Sequence, residues 1–450
     1  MDMNSLLNNF VAEGNDYEEF KEKVTDFAMH TTSKVVDFDS NNVVFLHKIK
    51  DDTTIKKIQS EHGANKTPYF VLNRTSLEEN DEMGKAFPVG LVPTDELDPH
   101  LVAEMSSTTE LVMKVDGQKY FVSEMALNTM LQRAKLFGNA LQSADLQRNV
   151  LMVHSLISPS RRSGHKSGQM QLIIRTAEGS NGKVSRKIFA ALSKGYAFVP
   201  QITLIPIADG LMGLMKADNM GEPSVLGWSI NHARTFIYIE FPEVAEEMKE
   251  AYHLPDKYIP GVVLSTSDVG ENSFTVRGCY RRDGHDSYVV TEEVSRQHRG
   301  DFVVEDFLVR VDEEIFKQVR ALPKVLEELL GRPVMDYDTV DLSTKGGQEA
   351  NRSAMAKTLK DASKHLKGSL AKPVREAITR CLEDEINGCR RYTLYDVATI
   401  FMDLPDRVEG ISKDTTNFAD FRKKCGNIPF VLAKSSFAPE NDDGDNVFLV

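Results

Sequence analysis

Cysteine is scarce in this chain, with four residues in 450, at positions 279, 381, 389 and 425. No two have Cys-x-x-Cys spacing and no histidines follow at zinc-finger distance. Neither a structural zinc site nor a disulfide framework is expected, and the thiols read as reduced and mainly structural. Tryptophan occurs once, as Trp228, and is expected in the core. No apolar run reaches the roughly 18 residues of a membrane-spanning helix, so no membrane association is expected. The first twenty residues are acidic and lack a basic segment before an apolar one, which is not the pattern of a secretory signal; a cytoplasmic location is expected.

Catalytic signatures are missing too. There is no Gly-x-Gly-x-x-Gly after a strand, no Gly-x-x-x-x-Gly-Lys-[Ser/Thr], no His-Glu-x-x-His and no Gly-x-Ser-x-Gly. Asp283, His285 and Asp286 are close enough in sequence to seat a metal, and Cys279 with His285 is a conceivable nucleophile pair. Either residue set also reads as ordinary surface or core. No cofactor, metal or catalytic residue is assigned.

Positive charge is in deficit: 54 Lys and Arg against 67 Asp and Glu, net −13. Taken whole, that opposes bulk attraction to nucleic acid. The distribution is uneven. Residues 1–150 carry net −9, residues 151–300 net +1 and residues 301–450 net −5. The window 155–200 holds eight basic side chains, Arg161, Arg162, Lys166, Arg175, Lys183, Arg186, Lys187 and Lys194, against Glu178 alone. A second window, 345–391, has eleven basic and six acidic residues.

Periodicity and turn chemistry outline the elements. Residues 4–29 show a helical apolar stripe, and Val35–Val36, Val43–Leu46 and Tyr69–Leu72 read as short strands. Leu111–Val122 forms a hairpin about Asp116-Gly117, and Ser123 caps a helix. Ser158–Gly168, SPSRRSGHKSG, is a loop, flanked by a hairpin over 169–192. Tyr196–Ile207 reads as extended, and Val225–Phe241 as a hairpin. Lys257–Arg282 is a third hairpin. On its return strand Phe274, Val276 and Tyr280 share one face, and Thr275, Arg277, Cys279 and Arg281 the other. Arg277 and Arg281 would stand about 13 Å apart, a spacing compatible with two positions on a phosphate backbone. Phe302–Val311 reads as a strand or extended edge and Glu313–Leu330 as a helix kinked at Pro323. Met335–Asn351, with Gly346-Gly347 and no apolar period, reads as an exposed, mobile linker. Helices follow, one started by Pro373 and one capped by Thr393 with Asp396. Cys381 falls on an apolar helix face and is expected in the core.

The expected architecture is α+β: a central antiparallel sheet with flanking helices and a helical C-terminal part. The expected divisions are an acidic α/β segment 1–110, the sheet domain 111–334, the linker 335–351, a helical segment 352–434 and an acidic tail 435–450.

Leu172-Ile173-Ile174-Arg175, FAALSKGYAFV at 189–199, GWSINHARTFIYIEF at 227–241, the hairpin 258–282 and YTLYDVATI at 392–400 occur in that order. In this the chain resembles the phage- and plasmid-encoded family called domain of unknown function 932, over roughly residues 125–405. Where the family's turn reads Asn-Ser-His-Asp-Gly, this chain has Ser-Thr-Ser-Asp-Val-Gly at 265–270, without the histidine. The resemblance implies a mobile-element setting in a bacterial host and, by association, DNA metabolism.

The leading functional expectation is a non-enzymatic nucleic-acid-binding protein that prefers single strands. The candidate contacts are Arg161, Arg162, Lys166, Arg175, Lys183, Arg186 and Lys187, with Arg277, Arg281 and Arg282 next. Tyr196, Tyr280 and Phe189 are candidate stacking faces, though each reads more readily as core. The alternatives are a structural or host-interaction protein that binds a protein partner or itself, and a metal-dependent enzyme acting on nucleic acid.

Overall fold

The computed structural model describes residues 6–38, the strands at 43–48, 66–67, 69–72 and 92–93, isolated helical positions between 53 and 60, residues 111–133 and 169–178, and 182–434 except 183, 218, 272, 286–287, 297–302, 312–320, 367–371, 387 and 409–415. The fold is α+β. Strands and helices are numbered in chain order.

Two main sheets carry it. The first has six antiparallel strands in the order β1 (Val11–Gly14), β11 (Ser224–Asn231), β12 (Thr235–Glu240), β13 (Tyr258–Thr266), β14 (Phe274–Arg282) and β15 (Tyr288–Arg296). The second has seven, in the order β2 (Thr31–Asp37), β9 (Gln169–Glu178), β10 (Val184–Ser193), β8 (Gln118–Val122), β7 (Leu111–Val115), β3 (Val43–Lys48) and β5 (Tyr69–Leu72), with β10 and β8 parallel. A two-stranded pair joins β4 (Lys66–Thr67) to β6 (Val92–Pro93). The strands therefore form two main sheets where one central sheet was expected. The segment 1–110 is not set apart: β1 extends the first sheet, and β2, β3 and β5 belong to the second.

Local chemistry explains the hairpins. Asp116 and Gly117 have φ of 49° and 80°, the two left-handed residues that a type I′ turn requires. On β14, Phe274, Val276 and Tyr280 join the main core, whereas Cys279 packs with Tyr238 and Val263 on the opposite face. Strand β1 departs from the expected helix over 4–29 at Gly14, where a methyl group would lie 2.5 Å from the Trp228 ring. The helix α1 (Tyr17–Met29) begins only after Asp16, whose side chain accepts from the Glu19 N–H at 2.7 Å. Trp228 is buried and donates Nε1 to the Asp16 carbonyl at 2.8 Å.

Helix α2 (Glu124–Arg133) covers one face of the seven-stranded sheet through Ala126, Leu127, Met130 and Leu131. The stretch expected to be extended from Tyr196 instead turns into α3 (Leu204–Ala217), where Leu204, Ile207, Ala208, Leu211 and Met215 make a buried stripe at helical spacing. Pro206 is tolerated because it lies in the first turn. After α4 (Glu243–Ala251), the expected strand over 302–311 is helix α5 (Val304–Val311). Its Phe307 and Val311 are buried, and its Leu308 packs where a Gly210 side chain would be. Helices α6 (Ala321–Leu330), α9 (Leu394–Arg407) and α10 (Thr416–Lys434) build the C-terminal core through Leu326, Phe401, Phe421 and Leu432. Thr393 and Asp396 form the expected capping box. Cys279 and Cys425 are buried, Cys389 is exposed, and Cys381, expected in the core, is only half-buried.

The expected linker 335–351 is built into the fold. Helix α7 (Lys345–Ser363) starts inside it, capped by Thr344, whose Oγ1 accepts from the Gly347 N–H at 3.0 Å. The two glycines differ in kind. A methyl group at Gly347 would meet the Asp341 carbonyl oxygen at 2.0 Å, whereas Gly346 has open space around it. Gly347→Ala should destabilise the protein by about 1–3 kcal/mol, whereas Gly346→Ala should be neutral or stabilising by up to about 1 kcal/mol. Urea unfolding of the two variants checks this; equal midpoints would mean that 335–351 is the unstructured linker after all.

Candidate functional site

Six of the ten expected phosphate contacts lie among the described residues; Arg161, Arg162, Lys166 and Lys183 do not. Arg175 and Lys187 are buried, with 0% and 4% exposure, and neither presents its charge to solvent. That corrects their reading as surface contacts: alternation on β9 and β10 turns both toward the interior between the sheets. Arg281 makes a two-point ion pair with buried Glu240, Nε to Oε1 at 2.6 Å and Nη2 to Oε2 at 3.0 Å. Arg282 pairs with Asp403, and with Asp256 at 3.6 Å. Arg186 and Arg277 are half-buried. Of the proposed stacking faces, Phe189 and Tyr280 are buried. Tyr196 is half-buried and donates its hydroxyl to the Ser267 carbonyl at 3.0 Å.

Arg175 anchors the junction of the two sheets. It stands on β9 between Ile173 and Ala177, where alternation points it at the turns of the six-stranded sheet. Its Nη2 donates to both Asp268 oxygens, at 3.0 and 3.2 Å, and to the His232 carbonyl at 3.2 Å. The guanidinium lies between the Phe27 and Phe189 rings, 4.6 and 4.3 Å from their centroids. His232 stacks on Phe189 at 4.2 Å, and its Nε2 accepts from the Phe10 N–H at 3.3 Å. Asp268 and His232 thereby tie two turns of one sheet to an interior strand of the other. Burial pulls the Arg175 pKa down and Asp268 opposes the shift; the group stays a cation.

Lys187 is the direct cross-strand partner of Arg175. The Lys187 ammonium, a second buried cation, bonds to the neutral Asn8 Oδ1 at 3.1 Å. Burial lowers the Lys187 pKa from 10.5 to about 8. A lowered folded-state pKa means that the unfolded chain holds the proton more tightly. The charge therefore destabilises the fold in full below about pH 8, and the penalty fades as pH rises toward 10.5. Lys187→Met should raise stability near pH 7 by roughly 1–3 kcal/mol and flatten the rise in stability between pH 8 and 10.5. Unfolding midpoints across pH measure both; a variant less stable than wild type at pH 7 would contradict this account of Lys187.

The other end of the six-stranded sheet meets helix α9. His285 Nδ1 lies 3.6 Å from Asp403 Oδ1 and 3.6 Å from Asp406 Oδ2. Tyr395 donates to Asp256 at 2.7 Å and shares a 3.0 Å hydrogen bond with Tyr258. Burial pushes the Asp403 carboxyl up, against the pull of Arg282 and His285. This network fastens the β14–β15 turn to α9. His285 faces α9 in place of the Asp283–Asp286 grouping considered from sequence, and Asp286 lies outside the described residues. Among the described residues no group of three or more His, Cys, Asp or Glu is placed to hold a metal ion. Burial drives the Cys279 thiol well above its ordinary range, which removes the thiolate that a nucleophile needs.

The sequence reading noted the basic window 345–391 but named no contacts on it. Arg352, Arg390 and Arg391 are all exposed, and the segment 388–391 is held against α7 by buried Asn351. The +5 balance of the window 345–391 was the available signal.

No family model matches the chain, and no curated protein or solved structure matches it.

Proposed function

We propose that the chain is a non-enzymatic nucleic-acid-binding protein that prefers single strands and serves the DNA metabolism of a mobile element. The observation that carries this reading is charge segregation. Ser158–Gly168 holds Arg161, Arg162, His165 and Lys166 and no acid, in a chain of net charge −13. That stretch runs directly into β9 at Gln169. The β9–β10 register sets Ser193 opposite Met170, so exposed Lys194 and half-buried Tyr196 follow on the neighbouring strand's exit. Exposed Asp37, opposite Gln169 on the far side of β9, and exposed Glu271, next to the Gly270 that packs by Tyr196, are acids nearby. A stretch of cations without an acid among them, together with an aromatic ring, suits a phosphate backbone with one stacked base. The resemblance noted from sequence supports the mobile-element setting.

Gel shifts with equal-length single- and double-stranded DNA and RNA test the reading. A shift strongest with single strands is expected. No shift with any of them at low salt would remove nucleic-acid binding and leave a protein partner as the reading.

A further inference from the structure

We infer that the outer face of α7, together with Arg390 and Arg391, is a second phosphate-binding surface for a nucleic-acid strand; the inference rests on the nucleic-acid reading above. The surface is organised by one buried side chain. Asn351 is 0% exposed. Its Nδ2 donates to the Gly388 and Arg390 carbonyls at 3.0 and 2.7 Å, and its Oδ1 accepts from the Tyr337 hydroxyl at 2.7 Å. That hydroxyl in turn accepts from the Tyr392 N–H at 2.8 Å. The segment 388–392 is therefore locked onto α7 by a hydrogen-bonded hub, and the arginines it carries are held in place from below.

Close approach brings Arg352 into the same group. A methyl group at Gly388 would lie 2.6 Å from the Gln348 carbonyl oxygen and 2.9 Å from Arg352 Nε, so only glycine lets the segment sit there. Arg390 lies over the Tyr392 ring at 4.6 Å and Arg391 over the Tyr337 ring at 5.5 Å. Rings under two guanidinium groups limit their rotamers while leaving their donors outward. Along α7, Lys345, Arg352 and Lys360 are exposed at intervals of roughly 10–12 Å, with Arg352 at the border of the buried side where Gly388 approaches.

The acids nearby compete unequally. Glu349 lies 3.6 Å from Arg352 in an exposed pair that contributes little and that a phosphate can displace. Asp396, 3.5 Å from Arg390, is part-buried and held by the Thr393 N–H at 2.7 Å, and exposed Asp336 and Asp338 flank Tyr337, so these acids stay beside the surface. Asp361 bonds Lys364, and Glu383 and Asp384 are exposed at the end of α8 (Lys372–Glu383). Helix α7 and residues 388–391 together still carry an excess of positive charge. The exposed large apolar residues among those described all lie elsewhere, at Val11, Met29, Val35, Val184, Ile202, Leu226, Val303 and Val309. A protein interface draws its affinity from buried apolar and aromatic anchors, which this surface does not offer. Spaced guanidinium groups without an apolar centre fit a polyanion.

The test is fluorescence anisotropy of a labelled single-stranded oligonucleotide with the full chain. It compares wild type, the double variant Arg390→Ala/Arg391→Ala, and the triple variant Arg161→Ala/Arg162→Ala/Lys166→Ala. The double variant should bind about tenfold more weakly at low salt and flatten the salt slope by roughly 1–1.5 units, with its urea midpoint unchanged because Asn351 bonds backbone at Arg390. Arg390→Lys/Arg391→Lys should recover most of the binding. If wild type binds and the triple variant weakens while the double variant matches wild type, this surface is wrong and the first reading stands. If wild type binds no oligonucleotide, both fall. If the double variant keeps oligonucleotide affinity but loses affinity for poly-glutamate, the surface belongs to an acidic protein segment and the inference is overturned.

Discussion

Asp268→Ala is expected to destabilise the protein by about 3–5 kcal/mol, the range for removing one partner of a buried ion pair. Arg175 and Asp268 are 0% and 1% exposed, and Asp268 is the carboxylate that holds the guanidinium on both of its oxygens. Its loss would leave Arg175 beside Lys187, two buried cations facing each other across β9 and β10. The His232 carbonyl and the two phenylalanine rings remain, and they supply no formal charge. Arginine does not escape by losing its proton, so the burden falls on the fold. Replacing both partners by apolar residues, as Arg175→Met/Asp268→Leu, should recover most of the loss, because the penalty lies in the unpaired charge more than in the absent bond. Urea unfolding of the two singles and the double, analysed as a cycle, measures it. A loss under about 1 kcal/mol for Asp268→Ala would mean that water reaches the guanidinium and that this junction does not hold the sheets together.

The triple variant Arg161→Ala/Arg162→Ala/Lys166→Ala carries the largest expected effect on function. Each cation that neutralises a phosphate on a single strand contributes about 0.7 to the salt slope, so three contacts contribute roughly 2 units. Affinity at low salt should fall by well over tenfold, and by the same factor for unrelated sequences, because phosphate contacts carry no base information. Stability should change by less than about 0.5 kcal/mol, since a stretch of this composition offers no apolar side to bury. Binding that keeps wild-type affinity and slope would clear these three residues of any role.

Much of the fold was legible because its signals are local. Asp116-Gly117 specifies its turn, Thr393 and Asp396 their cap, and β14 alternates in the way its faces are buried. The failures are of another kind. Helix α3 begins in an apolar stretch whose helical spacing shows only from Leu204 onward. Helix α7 begins at two adjacent glycines, which read as a break until Gly347 is seen against the Asp341 carbonyl. At the site, counting charge along 155–200 treated every base as exposed. The neighbours of Arg175, Leu172 to Ile174 and Ala177, already marked a buried strand, and a charge inside such a run needs a partner. That partner, Asp268, lies 93 residues away, where no local pattern reveals it. Asn351 was hidden for the same reason: its partners at 388 and 390 are 37 and 39 residues distant.

The most direct measurement is the affinity of the wild-type chain for a single-stranded oligonucleotide across a salt series from about 50 to 200 mM. Electrostatic contact through Arg161, Arg162, Lys166 and Lys194, with Arg390 and Arg391 as a second set, predicts measurable binding at the low end. It also predicts a log–log slope of roughly −3 to −4, given about 0.7 per phosphate contact. No binding at the lowest salt, or binding that does not weaken as salt rises, would contradict it.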